Sequence, residues 1–296
     1  MTLERLARPS GAFAMVAMDQ RESLRAMFAE HLTVPITLER RVAFKVAVAA
    51  TLSPYASALL VDADEGLEPI LAAHALAPTC GLIVAADGLV QPVGEPVDDT
   101  RFDRSVDLRV AAERGASAAK LLVIWRPDRP EAVRAELVEE FLSRSRDAGL
   151  AGIVEGVVRP PAGVAEDDWT EREAALLEAT RELGAHQPDI YKAQVPLFGR
   201  GDLETMTARC REMTAVLPCP WVVLSAGVAL EDFPRGVEAA CRGGASGFLA
   251  GRAIWRDALV EDPEPALRER SVPRLRDLAS LVDAVARPWH ALGGTA

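Results

Sequence analysis

Eight short apolar segments recur along the 296-residue chain, and each is followed by sequence with helical spacing. They run Phe13–Asp19, Tyr55–Asp62, Gly81–Asp87, Ala118–Trp125, Ala151–Val158, Asp189–Pro196, Trp221–Gly227 and Ser246–Gly251. Continuous apolar runs of this length suit strands buried on both faces, as in a parallel sheet covered by helices. Strict alternation of strand and helix points the same way. Eight such units, in a chain somewhat above the ~250-residue norm, predict a (β/α)8 TIM barrel of the α/β class in one domain spanning 1–296. A doubly wound open sheet is the alternative. It loses support because no GxGxxG follows the first segment and no GxxxxGK[ST] occurs.

Helices are expected over 21–29, 38–52, 66–77, 104–114, 130–148, 170–183, 202–216 and 230–242, with a last helical region over 252–286. Thr170 and Glu173 have capping-box spacing. The stretch 91–100, with Pro92, Gly94 and Pro96, reads as a polar loop, and 287–296 as a frayed tail.

Strand six holds the most demanding residue. Side chains alternate faces along a strand, so Lys192 shares a face with Ile190 and Gln194, while Tyr191, Ala193 and Val195 share the other. A lysine buried there is costly unless it is paired or used. Desolvation and nearby cations disfavour an amine's charged form, and the neutral amine attacks carbonyls. The competing reading is a lysine at a strand end that reaches water. Lys120 in strand four and Glu155 in strand five are likewise charged residues inside apolar runs. Adjacent strands lie about 4.8 Å apart, so the three side chains are expected to meet inside the barrel mouth. Two cations beside one carboxylate suit Schiff-base chemistry, with the carboxylic acid moving protons. Lys120 fits a structural ion pair with Glu155 equally well. Asp19, at the end of strand one with Gln20 and Arg21, reads as a strand-end cap as readily as a catalytic acid.

A second constellation closes the barrel. Ser225 and Gly227 end strand seven, and Gly251 and Arg252 end strand eight. Loops after these strands often hold a phosphate in barrels of this type. Glycine lets the backbone approach the anion, and arginine supplies a forked cation.

The net charge of -11 argues against nucleic acid and anionic membranes as partners. Cys80, Cys210, Cys219 and Cys241 have no CxxC spacing, and the four histidines are scattered, so no metal and no disulfide framework is expected. There is no charged-then-apolar leader and no apolar run of membrane-spanning length. The expectation is a cytoplasmic enzyme without a cofactor, assembled as a homo-oligomer and acting on a small sugar phosphate or sulfonate.

Taken together, FAMVAMDQRES (13–23), FKVAVAATLSPYASALLVD (44–62), AAKLLVIWRPD (118–128), IVEGVVRPP (153–161), DIYKAQVPLFG (189–199), WVVLSAGV (221–228) and GASGFLAGRAIW (244–255) resemble the class I aldolases of the tagatose-1,6-bisphosphate aldolase family. They are most similar to its branch that cleaves 6-deoxy-6-sulfofructose 1-phosphate in sulfoquinovose degradation. The resemblance runs in order from about residue 8 to 285. It implies a metal-free retro-aldol reaction with Lys192 as the Schiff-base lysine. Asp19, Lys120 and Glu155 fall on the other catalytic positions, with Glu155 the main proton shuttle and Lys120 and Asp19 tuning and positioning. Ser225, Gly227, Gly251 and Arg252 fall on the anion-binding loops. Gln20 and Arg21 are candidates for the distal, sulfonate end.

Two positions depart from the family pattern. Gln194 stands in place of a glutamate on the lysine's own face, and Gly156 stands in place of a proline, which is expected to loosen strand five. Cleavage of tagatose or fructose 1,6-bisphosphate is the alternative reaction. A non-catalytic sugar-phosphate-binding barrel is the alternative of a different class.

Overall fold

A computed structural model of the chain describes residues 3–33, 35–92 and 97–293. Its ten strands are β1 Phe13–Met18, β2 Ala58–Asp62, β3 Gly81–Ala85, β4 Asp87–Val90, β5 Asp99–Phe102, β6 Ala116–Trp125, β7 Ala151–Val158, β8 Ile190–Gln194, β9 Trp221–Leu224 and β10 Gly247–Ala250. Eight of them close a parallel barrel in the order β1-β2-β3-β6-β7-β8-β9-β10, and β10 pairs back onto β1. The (β/α)8 barrel expected from the alternating segments is therefore the fold. Every residue of β1, β2, β3, β7, β8, β9 and β10 is buried. That explains their unbroken apolar character: one face meets the barrel interior and the other meets helices.

Closure depends on one residue. Gly247 has φ +139, and a Cβ there would lie 1.9 Å from the Phe13 carbonyl oxygen. Only glycine lets β10 approach β1 closely enough to complete the ring. Below, the 3-10 turn Leu3–Leu6 plugs the N-terminal end, with Leu3 and Leu6 packed among Phe13, Met15 and Ile83.

Several expected boundaries move. Tyr55–Ser57 precede β2 in a turn, and Tyr55 is exposed. The helix expected over 66–77 is shorter, Leu67–Ala72, and His74 follows with φ 49. Strand three stops at Ala85, and Asp87 opens a β4–β5 antiparallel hairpin. The stretch read as a polar loop lies between the two hairpin strands, and of its described residues only Asp99 and Thr100 belong to β5. Leu89 of the hairpin and Val97 pack on Leu122, Ile124, Val157 and Leu224 at the C-terminal mouth. The Gly94 and Pro96 positions of that stretch lie outside the described residues. Thr170 does not cap its helix, which begins at Arg172 after Glu171. Glu173 instead accepts from Arg172 and from the Leu197 backbone N–H. The tail is not frayed over its described part: the Arg287 N–H donates to Ala245 O and the Trp289 N–H to Gly11 O, both at 3.0 Å. Nor does Gly156 loosen strand five. It sits buried in mid-strand, paired with Ala193. A Cβ there would meet the Tyr191 hydroxyl at 2.3 Å, so the absent side chain is replaced by Tyr191 packing.

Candidate active site

The alternation predicted for strand six holds. Tyr191, Ala193 and Val195 join the helix-facing core, whereas Ile190 joins the barrel interior, and Lys192 lies on its face. In-register pairing sets Glu155 of β7 directly beside Lys192 of β8, and Lys120 of β6 beside Ile153 of β7. Lys120 is thus in register two residues before Glu155, on the same inward face, and its side chain reaches up to the Glu155 carboxylate. Their fractional exposures are 2% for Lys120, 8% for Glu155 and 4% for Lys192.

One carboxylate oxygen joins the two lysines. Glu155 Oε2 lies 2.9 Å from Lys192 Nζ and 3.0 Å from Lys120 Nζ. Lys120 has two further partners, Asp19 Oδ2 at 2.8 Å and Asp87 Oδ1 at 3.1 Å. The three residues expected to meet do meet, and Asp19 joins them from the end of β1. Asp87 is the member that sequence reasoning left out of the site. It was visible only as an acid at the end of strand three. The hairpin turns it inward, where Oδ1 also accepts the Leu122 N–H at 3.3 Å.

The electrostatics separate the two lysines. Burial disfavours the Lys120 ammonium, but Asp19, Asp87 and Glu155 together raise its pKa well above the usual lysine value. Lys120 is a fixed cation. Burial also works against the Glu155 carboxylate. Lys120 and Lys192 outweigh it and hold Glu155 below the ordinary glutamate range. The same contest at Asp19, burial against Lys120, Lys192 and Arg21, leaves its carboxyl far below the ordinary aspartate value. At neutral pH the cluster therefore presents ionised carboxylates around a permanently charged Lys120. Lys192 touches one carboxylate where Lys120 touches three.

A pocket of about 340 Å³ opens between the loops after β9 and β10, lined by Ser225, Gly227 and Arg252. Gly227 has φ +78, a left-handed turn conformation. Arg200 and Arg256 also line it, and neither was picked out from the sequence. Arg256 was legible in principle, one helical turn beyond Arg252. Arg252 makes no ion pair among the described residues. Burial, with Arg256 close by, lowers its pKa, while Glu155 and Asp19 pull it back up. A half-buried guanidinium without an ion pair has room for a counter-charge, and an anion in this pocket would supply one, while the neighbouring Arg256 is paired with Glu30 at 3.1 Å. Gly251 does not line the pocket. A Cβ on it would fall 2.5 Å from Ala17 O and 3.1 Å from Gln20 Nε2, so it serves close packing between the ends of β1 and β10.

The distal candidates are placed differently. Arg21 donates to the Asp87 carbonyl oxygen at 2.9 Å and lies 3.7 Å from its carboxylate and 3.6 Å from Asp64. Its charge is already balanced. Gln20 lies against Gly251, with its Oε1 buried and unbonded among the described residues. Gln194 is 4% exposed, and its Oε1 accepts the Val158 N–H at 2.8 Å. Its carboxamide thereby ties the end of β7 to β8 on the lysine's face.

Comparison with known proteins gives these groups a context. A profile described as DeoC/LacD family aldolase matches residues 13–257. The tagatose 1,6-diphosphate aldolase of Staphylococcus haemolyticus is 27% identical over 98% of this chain and 97% of its own. That of Listeria monocytogenes serotype 4a is 28% identical over 97% of this chain and 92% of its own. Among solved structures, an archaeal fructose 1,6-bisphosphate aldolase superposes with a TM-score of 0.62 at 18% identity, covering 95% of this chain and 98% of that one. The fructose-bisphosphate aldolase from Slackia heliotrinireducens gives 0.64 at 15% identity, over 95% and 88%. The structural likenesses establish the barrel.

Proposed function

The chain belongs to the DeoC/LacD family of aldolases, and from that premise we propose that it is a class I enzyme whose Schiff-base residue is Lys192. One observation carries the assignment: of two lysines buried in one mouth, Lys120 is locked as a cation by three carboxylates, and Lys192 touches only Glu155. A nucleophilic amine must shed its proton, and Glu155 lies in contact to receive it. Lys192 Nζ attacks the ketose C2 carbonyl. Glu155 returns that proton to the carbinolamine hydroxyl, which leaves as water, and the resulting iminium serves as an electron sink while Glu155 is again a carboxylate. Glu155 takes the C4 hydroxyl proton, the C3–C4 bond breaks, and its electron pair moves into the enamine as the aldehyde leaves. The enamine is protonated at C3 and hydrolysed, freeing dihydroxyacetone phosphate and Lys192. Lys120 stays charged throughout and stabilises the negative charge passing over Glu155 and the departing oxygen. Asp19 holds Lys120 in place. The C1 phosphate occupies the pocket of Ser225, Gly227 and Arg252, with Arg256 at its rim.

The substrate we propose is 6-deoxy-6-sulfofructose 1-phosphate, cleaved to dihydroxyacetone phosphate and 3-sulfolactaldehyde. The distribution of cations supports it. Of the arginines lining the anion pocket, Arg256 pairs with Glu30 at 3.1 Å and Arg200 lies 3.5 Å from Asp232, which leaves Arg252 as the one without an ion pair among the described residues, while Arg21 is already balanced by Asp87 and Asp64. A site with one strong and one weak cationic end fits a phosphate of nearly two charges and a sulfonate of one. A second reading, cleavage of a ketose 1,6-bisphosphate, is favoured by the full-length similarity to tagatose 1,6-diphosphate aldolases.

Borohydride reduction with intact-mass analysis tests both readings, using the sulfosugar phosphate and tagatose 1,6-bisphosphate in parallel. The expected result is a reduced adduct on Lys192 and faster cleavage of the sulfosugar. Faster bisphosphate cleavage would keep the mechanism and replace the substrate. Absence of any adduct from folded protein would overturn the Schiff-base assignment.

A further inference from the structure

The turn that follows the Schiff-base strand holds two residues in a backbone conformation that bulky side chains avoid. Leu197 has φ 53 and ψ 24, and Phe198 has φ 51 and ψ 24. Two consecutive left-handed residues, neither glycine nor asparagine, persist only where their surroundings over-determine them, and such positions gather at functional sites. The surroundings here are specific. The Phe198 ring lies beneath the Arg172 guanidinium, whose central carbon is 3.6 Å from the ring centroid. Arg172 is itself buried, with Glu173 beside it and the Val195 carbonyl oxygen 3.5 Å from one of its nitrogens. The Leu197 N–H donates to Glu173 at 3.1 Å. On its other side the Phe198 ring meets the loop after β9. A Cβ on Gly227 would lie 3.0 Å from both Cδ1 and Cε1 of that ring. The next residue, Gly199, packs equally closely on the same loop, where a Cβ would meet Asp232 O and Val228 Cγ1, each at 3.2 Å.

We propose that Phe198 is a positioning residue for the anion pocket. The turn after Lys192 acts as a clamp that presses an aromatic ring, fixed from behind by Arg172, against the backbone at Gly227. The inference rests on the reading that Gly227 belongs to the phosphate site. Its physical content is that Gly227 has no side chain of its own to anchor it and adopts a left-handed turn that many other loop geometries compete with. The ring removes that freedom, and it does so from the segment that carries the nucleophile. Phosphate position and Lys192 position are thereby set by one stretch, 192–199. Pre-organisation of this kind strengthens binding by removing an ordering cost, and misplacement by about 1 Å costs up to ~10²-fold in rate. Glycine at 227 and the aromatic at 198 form a matched pair: a side chain at 227 collides with the ring, and a small residue at 198 leaves the loop unsupported.

The test compares two ketoses that differ only in phosphate. Trapping at Lys192 by borohydride is measured as a function of concentration for dihydroxyacetone phosphate and for dihydroxyacetone, in the full-length protein. Phe198→Ala is expected to lower the preference for the phosphorylated ketose by about tenfold, as a rise in half-saturation with little change in the limiting trapping rate. Phe198→Tyr keeps the ring and retains the preference. Phe198→Asn, which suits the left-handed backbone but lacks the ring, loses it as Phe198→Ala does, even where the protein becomes more stable. Equal loss with both ketoses in Phe198→Asn, or an unchanged preference in Phe198→Ala, would overturn the proposal. Arg252→Gln is the reference variant. If it leaves the preference unchanged, the phosphate-site reading is what fails. If it removes the preference while the Phe198 variants do not, only the clamp fails.

Discussion

Two regions of this barrel bury lysines, and they differ in what surrounds them. In the mouth, Lys120 and Lys192 share Glu155, with Asp19 and Asp87 on Lys120 alone. In the layer between sheet and helices, Lys45 of helix Leu38–Leu52 is wholly buried against Asp62 at the end of β2. Glu65 stands 3.6 Å from Lys45, and Arg41 donates to Glu65 through Nε at 3.0 Å. The remaining Asp62 oxygen accepts the Glu65 N–H at 2.7 Å. Each group in this second cluster is held by a named partner, and the cluster fastens a helix to a strand end. The mouth cluster is unequal instead: one lysine is saturated with carboxylates and the other is not. Burial of a lysine therefore identifies a costly residue, not a reactive one. Under the proposed function, unequal pairing singles out Lys192 as the reactive one.

The sharpest way to break this comparison is to remove each lysine. Lys192→Met is expected to abolish both turnover and borohydride trapping, by on the order of 10⁴-fold or more. The fold should survive, because Glu155 keeps Lys120 as a partner. Substantial trapping at Lys120 in that variant would show that the two lysines are interchangeable and the contrast is false. Lys45→Met is the counterpart. It leaves the Asp62 carboxylate buried without its main partner, a change that typically costs about 3–5 kcal/mol. The low end is expected, since Asp62 can take up a proton. Thermal and denaturant unfolding measure the loss, and trapping at Lys192 in the remaining folded protein should be close to that of the parent. Loss of trapping with unchanged stability would move Lys45 into the active site.

Protonation gives a smaller and more diagnostic contrast. Burial raises the Asp62 pKa above the ordinary value in spite of Lys45. Asp19, whose side chain is 10% exposed where that of Asp62 is 0%, is driven the other way by Lys120 and Lys192. The unfolded reference for both is about 3.9. Asp19 is the stronger acid in the folded state, so its contribution to stability is complete above that reference and fades as the pH falls through its folded value. Asp62 has the reverse sign. Its contribution is complete below the reference and is lost as the pH rises through its folded value. Carbon-detected titration of the aspartate carboxyls should find Asp62 titrating at higher pH than Asp19. The opposite order would remove the electrostatic distinction between the regions.

Much of this was legible in the residues. Lys120, Glu155 and Lys192 stood out because a charge inside an apolar strand breaks a short-range pattern, and the period of two placed Lys192 on its face. Lys45 did not stand out. In a helix a charged residue is expected on any outward face, and whether that face meets water or a strand end is a matter of packing. Asp87 was hidden for a related reason. It ends one apolar run, and only the hairpin folding back over the mouth brings its carboxylate to Lys120. Arg21 looked like a free cation because the acids that neutralise it, Asp64 and Asp87, belong to the ends of other strands. Phe198 gave no signal at all, since a left-handed backbone at a bulky residue is imposed by neighbours distant in sequence.

By itself, then, the sequence determined the barrel, the two faces of strand six and the place of Lys192 on the inward one. These follow from periodicities of two and of 3.6 residues, which act over a few positions and are written wherever strands and helices are written. Tertiary structure alone decided which charges cancel: three carboxylates on Lys120 against one on Lys192, a balanced Arg21 against an unbalanced Arg252, and a ring pressed on Gly227. Coulomb energies in a buried site change steeply over a few ångströms, and those ångströms are fixed by strands that close a ring across more than two hundred residues, from β1 to β10.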